Sequence, residues 1–158
     1  MSDGKKIEFV RVDPRISEIT TMIHTLDRYM GELYPAESNH LVDVDTLAQP
    51  HVHFFGIKLD GEYVGCGAII EQGLEYTEVK RIYVDPVARG LGLGRMIIDK
   101  LVAETNALGI PMLRLETGIL QPEALGLFEV CGFRRCGSFG DYPADDPYSV
   151  FMERKVSL

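Results

Sequence analysis

The chain has 158 residues, of which 46% are hydrophobic and 25% are charged, and its formal net charge is −8. This length allows one domain, residues 1–158, to bury a sizeable core without disulfides or structural metals. The negative charge opposes binding to nucleic-acid phosphates, and no apolar run approaches the roughly 20 residues of a membrane span, so we predict a soluble chain without nucleic-acid or membrane partners.

The amino-terminal residues, the cysteines and the histidines bear on location and on metals. Met-Ser-Asp-Gly-Lys-Lys lacks the apolar stretch of a secretory signal, which predicts a cytoplasmic location. The three cysteines include no CxxC pair. His51 and His53 share one face of a strand but have no third ligand at a clear spacing. We therefore predict no metal site.

The first third of the chain predicts a strand, a helix and a loop. Ile7–Val12 alternates as a short strand, and Pro14 ends it. Apolar residues at helical spacing predict a helix over about Ser17–Glu32. The polar stretch Gly31–His40 predicts a loop, with a short helix near Val42–Leu47.

The remaining elements predict a sheet with covering helices. His53–Leu59 and Tyr63–Glu71 flank a tight-turn dipeptide, Asp60-Gly61, and form a hairpin that Tyr76–Val84 extends. A helix over Gly92–Leu108 follows. The last elements are a strand at Met112–Thr117, a helix at Pro122–Val130 and strands at Arg134–Gly137 and Ser149–Lys155. The order predicts an α/β fold with a mixed sheet of six or seven strands.

A glycine-rich loop, Arg89–Arg95, lies between a predicted strand and a predicted helix. Glycines at 90, 92 and 94 remove Cβ atoms that would keep a ligand away from the backbone. The N–H groups of the first helical turn then point at the ligand, and the arginines at both ends of the loop add positive charge. The loop therefore predicts a pyrophosphate site, and with it a nucleotide-derived cofactor.

The spacing of the loop excludes two common nucleotide motifs. Counted from Gly90, the sixth position is Arg95, which breaks the dinucleotide fingerprint, and Gly94 is followed by no Lys-Ser or Lys-Thr pair of a P-loop. The pattern that remains is Arg or Gln, two residues, Gly, one residue, and Gly or Ala, as in Arg89, Gly92 and Gly94. In this motif the chain resembles the GNAT superfamily of acyl-CoA-dependent N-acetyltransferases.

The resemblance extends over about residues 76 to 134. Val79–Pro86 is similar to the cofactor-binding strand of the family, and Leu127–Phe133 is similar to its Leu-Tyr, three residues, Gly-Phe motif, with Phe128 in place of the tyrosine. The resemblance implies a mostly antiparallel sheet of six to seven strands flanked by about four helices. It also implies acetyl-CoA as cosubstrate, without a metal.

The resemblance assigns cofactor-binding residues. Backbone groups of Ile82, Tyr83 and Val84 would hold the pantetheine arm, because extended chains pair with main-chain groups that are exposed where strands splay. The pyrophosphate would bind to the loop and its flanking arginines, namely Arg89, Gly90, Leu91, Gly92, Leu93, Gly94 and Arg95.

Acyl transfer to an amine needs the neutral amine, and because an alkyl ammonium has a pKa of about 10.4, a base assists at neutral pH. Glu78 and Glu116, on neighbouring predicted strands, are the candidates, as glutamates at either position serve in relatives.

Phe128 has no proton for the departing thiolate. Either a tyrosine donates it, with Tyr142 favoured over Tyr34 and Tyr83, or the thiolate leaves unassisted, which its thiol pKa of about 8.5 permits.

The loops Tyr34–His40 and Asp141–Asp146 resemble the variable loops beside the acceptor in relatives. Tyr34, Glu37 and Asp141 are the candidate substrate-binding residues, since a carboxylate attracts an ammonium group. We predict transfer of an acetyl group to a primary amine of a small molecule, amino acid or peptide. The alternatives are a protein N-terminal or lysine acetyltransferase, which needs an open groove, and an acyl-CoA-binding regulatory module without turnover. A homodimer is a candidate assembly.

Overall fold

The computed structural model describes residues 6–38 and 43–157. In these ranges the chain forms a seven-stranded mixed sheet with four α-helices, which confirms the predicted fold. The strands are β1 (Ile7–Arg11), β2 (Val52–Leu59), β3 (Glu62–Gln72), β4 (Tyr76–Val84), β5 (Met112–Gly118), β6 (Arg134–Arg135) and β7 (Ser149–Lys155). The helices are α1 (Ser17–Leu33), α2 (Val44–Leu47), α3 (Leu93–Ala107) and α4 (Pro122–Val130).

Two element bounds differ from the prediction by two residues, and the others by at most one. The short helix expected near Val42 begins at Val44, after the Asp43 side chain caps it by accepting from the Thr46 N–H, and Val42 itself lies outside the described residues. The strand expected over 134–137 is two residues long. Cys136 still donates its N–H to the Phe151 carbonyl at 2.9 Å, and the chain then leaves the sheet for a long loop.

The sheet has the strand order β1-β2-β3-β4-β5-β7-β6. Among the described strands only β4 and β5 run parallel, and their ladder is confined to two pairs, Thr77 with Leu113 and Glu78 with Arg114. Helix α3 makes the crossover that a parallel connection requires. Beyond Glu78 the two strands diverge, and a wedge opens in the middle of the sheet.

Apolar side chains cover both faces of the sheet. On the face toward α3, Ile97 and Leu101 are fully buried with Leu113 of β5. On the face toward α1, Ile19 and Ile23 are buried with Ile70 and other side chains of β2 and β3. Burial of each such side chain contributes about 1.5–3 kcal/mol. The two helical layers therefore hold the diverging strands in place from both sides.

Within the described ranges, no helix is long and apolar enough to cross a bilayer. The cytoplasmic location stays a prediction.

Candidate active site

A cavity of about 170 Å³ fills the wedge between β4 and β5. Described residues from five parts of the chain line it: Leu26, Met30, Tyr34 and Ser38 on and after α1; Val79, Lys80, Arg81 and Ile82 on β4; Leu115, Glu116, Thr117 and Gly118 on β5; Gln121, Ala124, Leu127 and Phe128 at α4; and Tyr148. We call this cavity the wedge pocket. It joins the predicted cofactor strand to the predicted acceptor loop.

Strand β4 carries a bulge at Arg81, whose φ of 60° is in the left-handed region. The pairing with β3 shifts by one residue across it. Val79 and Ile82 pack with the core on the α3 face, whereas the side chains of Lys80 and Arg81 both face α1, because a bulge breaks the alternation of a strand. Two consecutive cations therefore line one side of the wedge pocket.

Polar contacts hold the bulge. The Arg81 guanidinium forms an ion pair with Asp27 of α1, and its side chain is 4% exposed. The Cys66 thiol donates to the Arg81 carbonyl at 3.2 Å. Left-handed backbone costs a non-glycine residue about 1–3 kcal/mol, and such residues persist where the surrounding contacts enforce them.

Glu116 of β5 lies in the wall of the wedge pocket and is half-buried. Its carboxylate accepts a hydrogen bond from the Ser149 hydroxyl at 2.8 Å. Burial raises the pKa of Tyr34, and the charge of Glu116 raises it further. Glu116 acts in the same direction on the pKa of Tyr142. The carboxylate thus influences tyrosines on both acceptor loops.

Glu78, Lys80 and Tyr142 form a polar cluster beside the pocket. The Lys80 ammonium lies 3.2 Å from the Glu78 carboxylate, and the two side chains are 11% and 8% exposed. The Tyr142 hydroxyl donates to Glu78 and accepts from Lys80. Burial, followed by the charge of Glu78, raises the pKa of Tyr142 far above its usual range. Lys80 connects this cluster to the wedge pocket, which it lines.

Phe128 takes part in the pocket wall, where it is 8% exposed and contacts Phe133 edge to face at 5.7 Å. Of the three tyrosines weighed as proton donors, Tyr34 lines the pocket. Tyr142 lies in the adjoining cluster, and Tyr83 packs against the apolar cluster on the α1 face. The structure therefore brings the Tyr34 and Tyr142 side chains close to the wedge, whereas the Tyr83 side chain packs against the apolar cluster on the α1 face.

Tyr34 is buried against β5 and the loop after it. Its hydroxyl accepts from the Leu120 N–H at 3.0 Å and donates to the Gln121 side chain at 3.3 Å. A Cβ on Gly118 would lie 1.8 Å from that hydroxyl oxygen, so only glycine permits the approach.

The glycine loop has the geometry expected of a turn into a helix. Gly90 and Gly92 have φ values of 87° and 75°, which glycine adopts without strain. Gly94 serves packing, since a Cβ there would lie 2.9 Å from Leu127 of α4. The Arg89 side chain donates to the Val84 carbonyl at 3.2 Å, and Leu91, Arg89 and Arg95 are exposed. The first turn of α3 starts at Leu93, with its N–H groups directed to this loop.

The two predicted acceptor loops touch each other. The Ser38 hydroxyl donates to the Asp146 carboxylate at 3.0 Å, and the same oxygen accepts from the Tyr148 N–H at 2.9 Å. The rings of Tyr34 and Tyr148 meet edge to face at 5.8 Å. We call these contacts the strap.

The predicted acceptor residues are placed differently from one another. Tyr34 is buried in the pocket wall, whereas Glu37 and Asp141 are exposed. Asn39 and His40 of the predicted acceptor loop lie outside the described residues. The acceptor roles of Glu37 and Asp141 stay predictions.

The sequence analysis missed Lys80, Ser38 and Tyr148. Lys80 follows Glu78 by two residues, a spacing that places both side chains on one face of a strand. For Ser38 and Tyr148 the local sequence carries no comparable signal. Among residues 6–38 and 43–157, no three His, Cys, Asp or Glu side chains form a group that could hold a metal.

The fold and the wedge define the class of protein, that of the acyl-CoA N-acyltransferases. A crystal structure from Klebsiella pneumoniae subsp. pneumoniae MGH 78578, described as an acyl-CoA N-acyltransferase, matches with a TM-score of 0.80 and 32% identity over 95% of this chain and 97% of that one. The model of the acetyltransferase (GNAT) family matches residues 19–133. The chain belongs to the GNAT acetyltransferase family and is an N-acetyltransferase.

Relatives agree with this assignment. The chain is 44% identical to the IAA acetyltransferase of Azospirillum brasilense, over 95% of this chain and 98% of that protein. The fold also matches an aminoglycoside 6′-N-acetyltransferase complexed with coenzyme A, with a TM-score of 0.72 and 16% identity over 96% of this chain and 98% of that one. The GNAT family uses acetyl-CoA and acts on amine acceptors, which confirms the predicted reaction class.

Proposed function

We propose that this enzyme binds acetyl-CoA in the wedge between β4 and β5 and transfers the acetyl group directly to a primary amine of a small molecule. The diverging strands leave the backbone of Ile82, Tyr83 and Val84 without a β5 partner, which suits the amides of pantetheine. The start of α3 and Arg89 suit the pyrophosphate. The observation that carries the proposal is Glu116 in the wall of the pocket at this wedge.

In the proposed reaction Glu116 accepts a proton from the acceptor ammonium, and the neutral nitrogen attacks the thioester carbonyl. The carbon–sulfur bond then breaks, the amide nitrogen releases its second proton to solvent water, and CoA leaves as a thiolate. Phe128 has no proton to give to that thiolate. Because the thiol of CoA has a pKa of about 8.5, the thiolate can depart unassisted. Glu78 and Tyr142, joined to the pocket through Lys80, are the second candidate pair for proton transfer.

The test is release of free CoA thiol from acetyl-CoA with a panel of primary amines, with acetyl-CoA binding measured by calorimetry on the same preparation. Gly92→Glu is the control for the cofactor site, because a side chain at φ 75° both strains the loop and brings a negative charge to the phosphates. We expect turnover in the wild type and loss of acetyl-CoA binding in the variant. Binding without turnover of any amine would contradict the proposed reaction.

A further inference from the structure

The wedge pocket restricts the rest of the acceptor molecule as well as its amino group. Its size, its charges and the strap each restrict what can enter. From these three features we infer that the acceptor is a compact monoamine with an apolar body rather than a polyamine or a peptide. The inference rests on the proposed function, since it describes the second substrate of the same site.

The walls are mostly apolar and aromatic. Leu26 and Met30 of α1 and Leu115 of β5 line the cavity, and Tyr148 and Phe128 add rings. The wedge pocket measures about 170 Å³, and the acetyl end of acetyl-CoA occupies part of it in the proposed function, which leaves the acceptor a smaller volume than this. An apolar body of that size loses its contact with water on entry, which favours binding.

The charges in the wall suit a single ammonium group. Of the described residues that line the pocket, Glu116 is the one acid, and Lys80 and Arg81 are cations. Those cations are paired with Glu78 and Asp27 respectively. A second or third ammonium on the acceptor would lose its hydration in this partly apolar space without a further carboxylate among the described lining residues to pair with.

The strap limits the length of the acceptor. Ser38 and Tyr148 both line the pocket, and the Ser38–Asp146 hydrogen bond at 3.0 Å joins the loops that carry them. The Tyr34 and Tyr148 rings close the same side. A peptide that presented its amino terminus to Glu116 would have to pass between these loops and separate them.

The experiment compares three acceptors: 2-phenylethylamine, spermidine and a tetrapeptide with a free amino terminus. For the wild type we expect kcat/KM for 2-phenylethylamine to exceed that for either other acceptor by at least about tenfold. Ser38→Ala should raise the ratio of tetrapeptide to 2-phenylethylamine activity about fivefold, the factor that one hydrogen bond corresponds to. Asp146→Ala removes the acceptor on the other side of the strap and should shift the ratio in the same direction.

Ser17→Ala is the matched control, since it removes an exposed serine hydroxyl that contacts Glu18 at the start of α1. Its ratio should equal that of the wild type. Wild-type activity with spermidine or the tetrapeptide that equals or exceeds the activity with 2-phenylethylamine would overturn the inference but leave the proposed function standing. An unchanged ratio in both strap variants would have the same consequence. Absence of CoA release with all three acceptors would overturn the proposed function and the inference together.

Discussion

The ammonium of Lys80 lies 3.2 Å from the carboxylate of Glu78, and both side chains are almost buried on the α1 face of β4. Residues two apart on a strand share a face, and the Tyr142 hydroxyl bonds to both partners. A buried ion pair of this kind compensates the loss of hydration that each charge suffers. Lys80 therefore lowers the free-energy cost of burying the Glu78 carboxylate next to the wedge pocket.

Replacement of Lys80 by methionine should destabilise the fold. The change keeps most of the side-chain volume but leaves the Glu78 carboxylate buried without its cation, which costs about 3 kcal/mol or more. Chemical denaturation of both proteins measures the difference in the free energy of unfolding. The exposed Lys155→Met is the control and should differ little from the wild type. Equal stability of the Lys80 variant and this control would show that the pair is not needed.

Tyr142 should make stability fall in alkaline solution. Its pKa is raised above the ordinary value of 10.0, chiefly by burial, so the folded state retains a proton that the unfolded state releases above pH 10. The free energy of unfolding then decreases as pH rises from there. Tyr142→Phe should flatten this decrease when thermal unfolding is followed from pH 8 upward.

The exposed Tyr29→Phe serves as control for the alkaline series. It should keep the slope of the wild type. The same slope in Tyr142→Phe as in Tyr29→Phe would contradict the role given to the buried hydroxyl.

Glu116→Gln should impair turnover while sparing the cofactor. The amide retains the shape of the side chain but cannot take up a proton, and loss of a general base lowers kcat by about 10² to 10⁴. CoA-thiol release measures turnover, and calorimetry measures acetyl-CoA binding, which should be unchanged. Glu123→Gln changes an exposed glutamate in the first turn of α4 and should behave as the wild type. Full turnover in the Glu116 variant would contradict the role of Glu116 as general base and leave Glu78 as the candidate.

Gly118→Ala should displace Tyr34. The added Cβ would lie 1.8 Å from the tyrosine oxygen, so the ring must leave its bond to the Leu120 N–H, and overpacking of this kind costs about 1–3 kcal/mol. We expect a lower melting temperature and a higher KM for the amine. Gly137→Ala has open space around the new Cβ and is the control. Identical melting temperatures for the two variants would disprove the contact.

Periodicity and turn residues sufficed to predict the strands and the long helices, and the glycine loop identified the cofactor class. The bulge at Arg81 was missed because the prediction assumed unbroken alternation along β4. The apolar pair Val79 and Ile82, three residues apart, contains the signal in retrospect. The strap was not predictable, since Ser38 and Asp146 are separated by 108 positions and meet only in the folded chain.

The extra residue of the bulge also determines which side chains of β4 line the wedge pocket. Pairing with β3 runs from Gln72 with Tyr76 at one end to Gly65 with Val84 at the other, with a change of phase by one residue between them. Deletion of one residue at the bulge would bring the two ends back into phase. Side chains on either side of it would keep their present faces, Tyr83 toward α1 and Ile82 toward α3, and one of the two consecutive cations that face α1 would be lost. The extra residue of the bulge is therefore what gives β4 a second cation on the face that lines the wedge pocket.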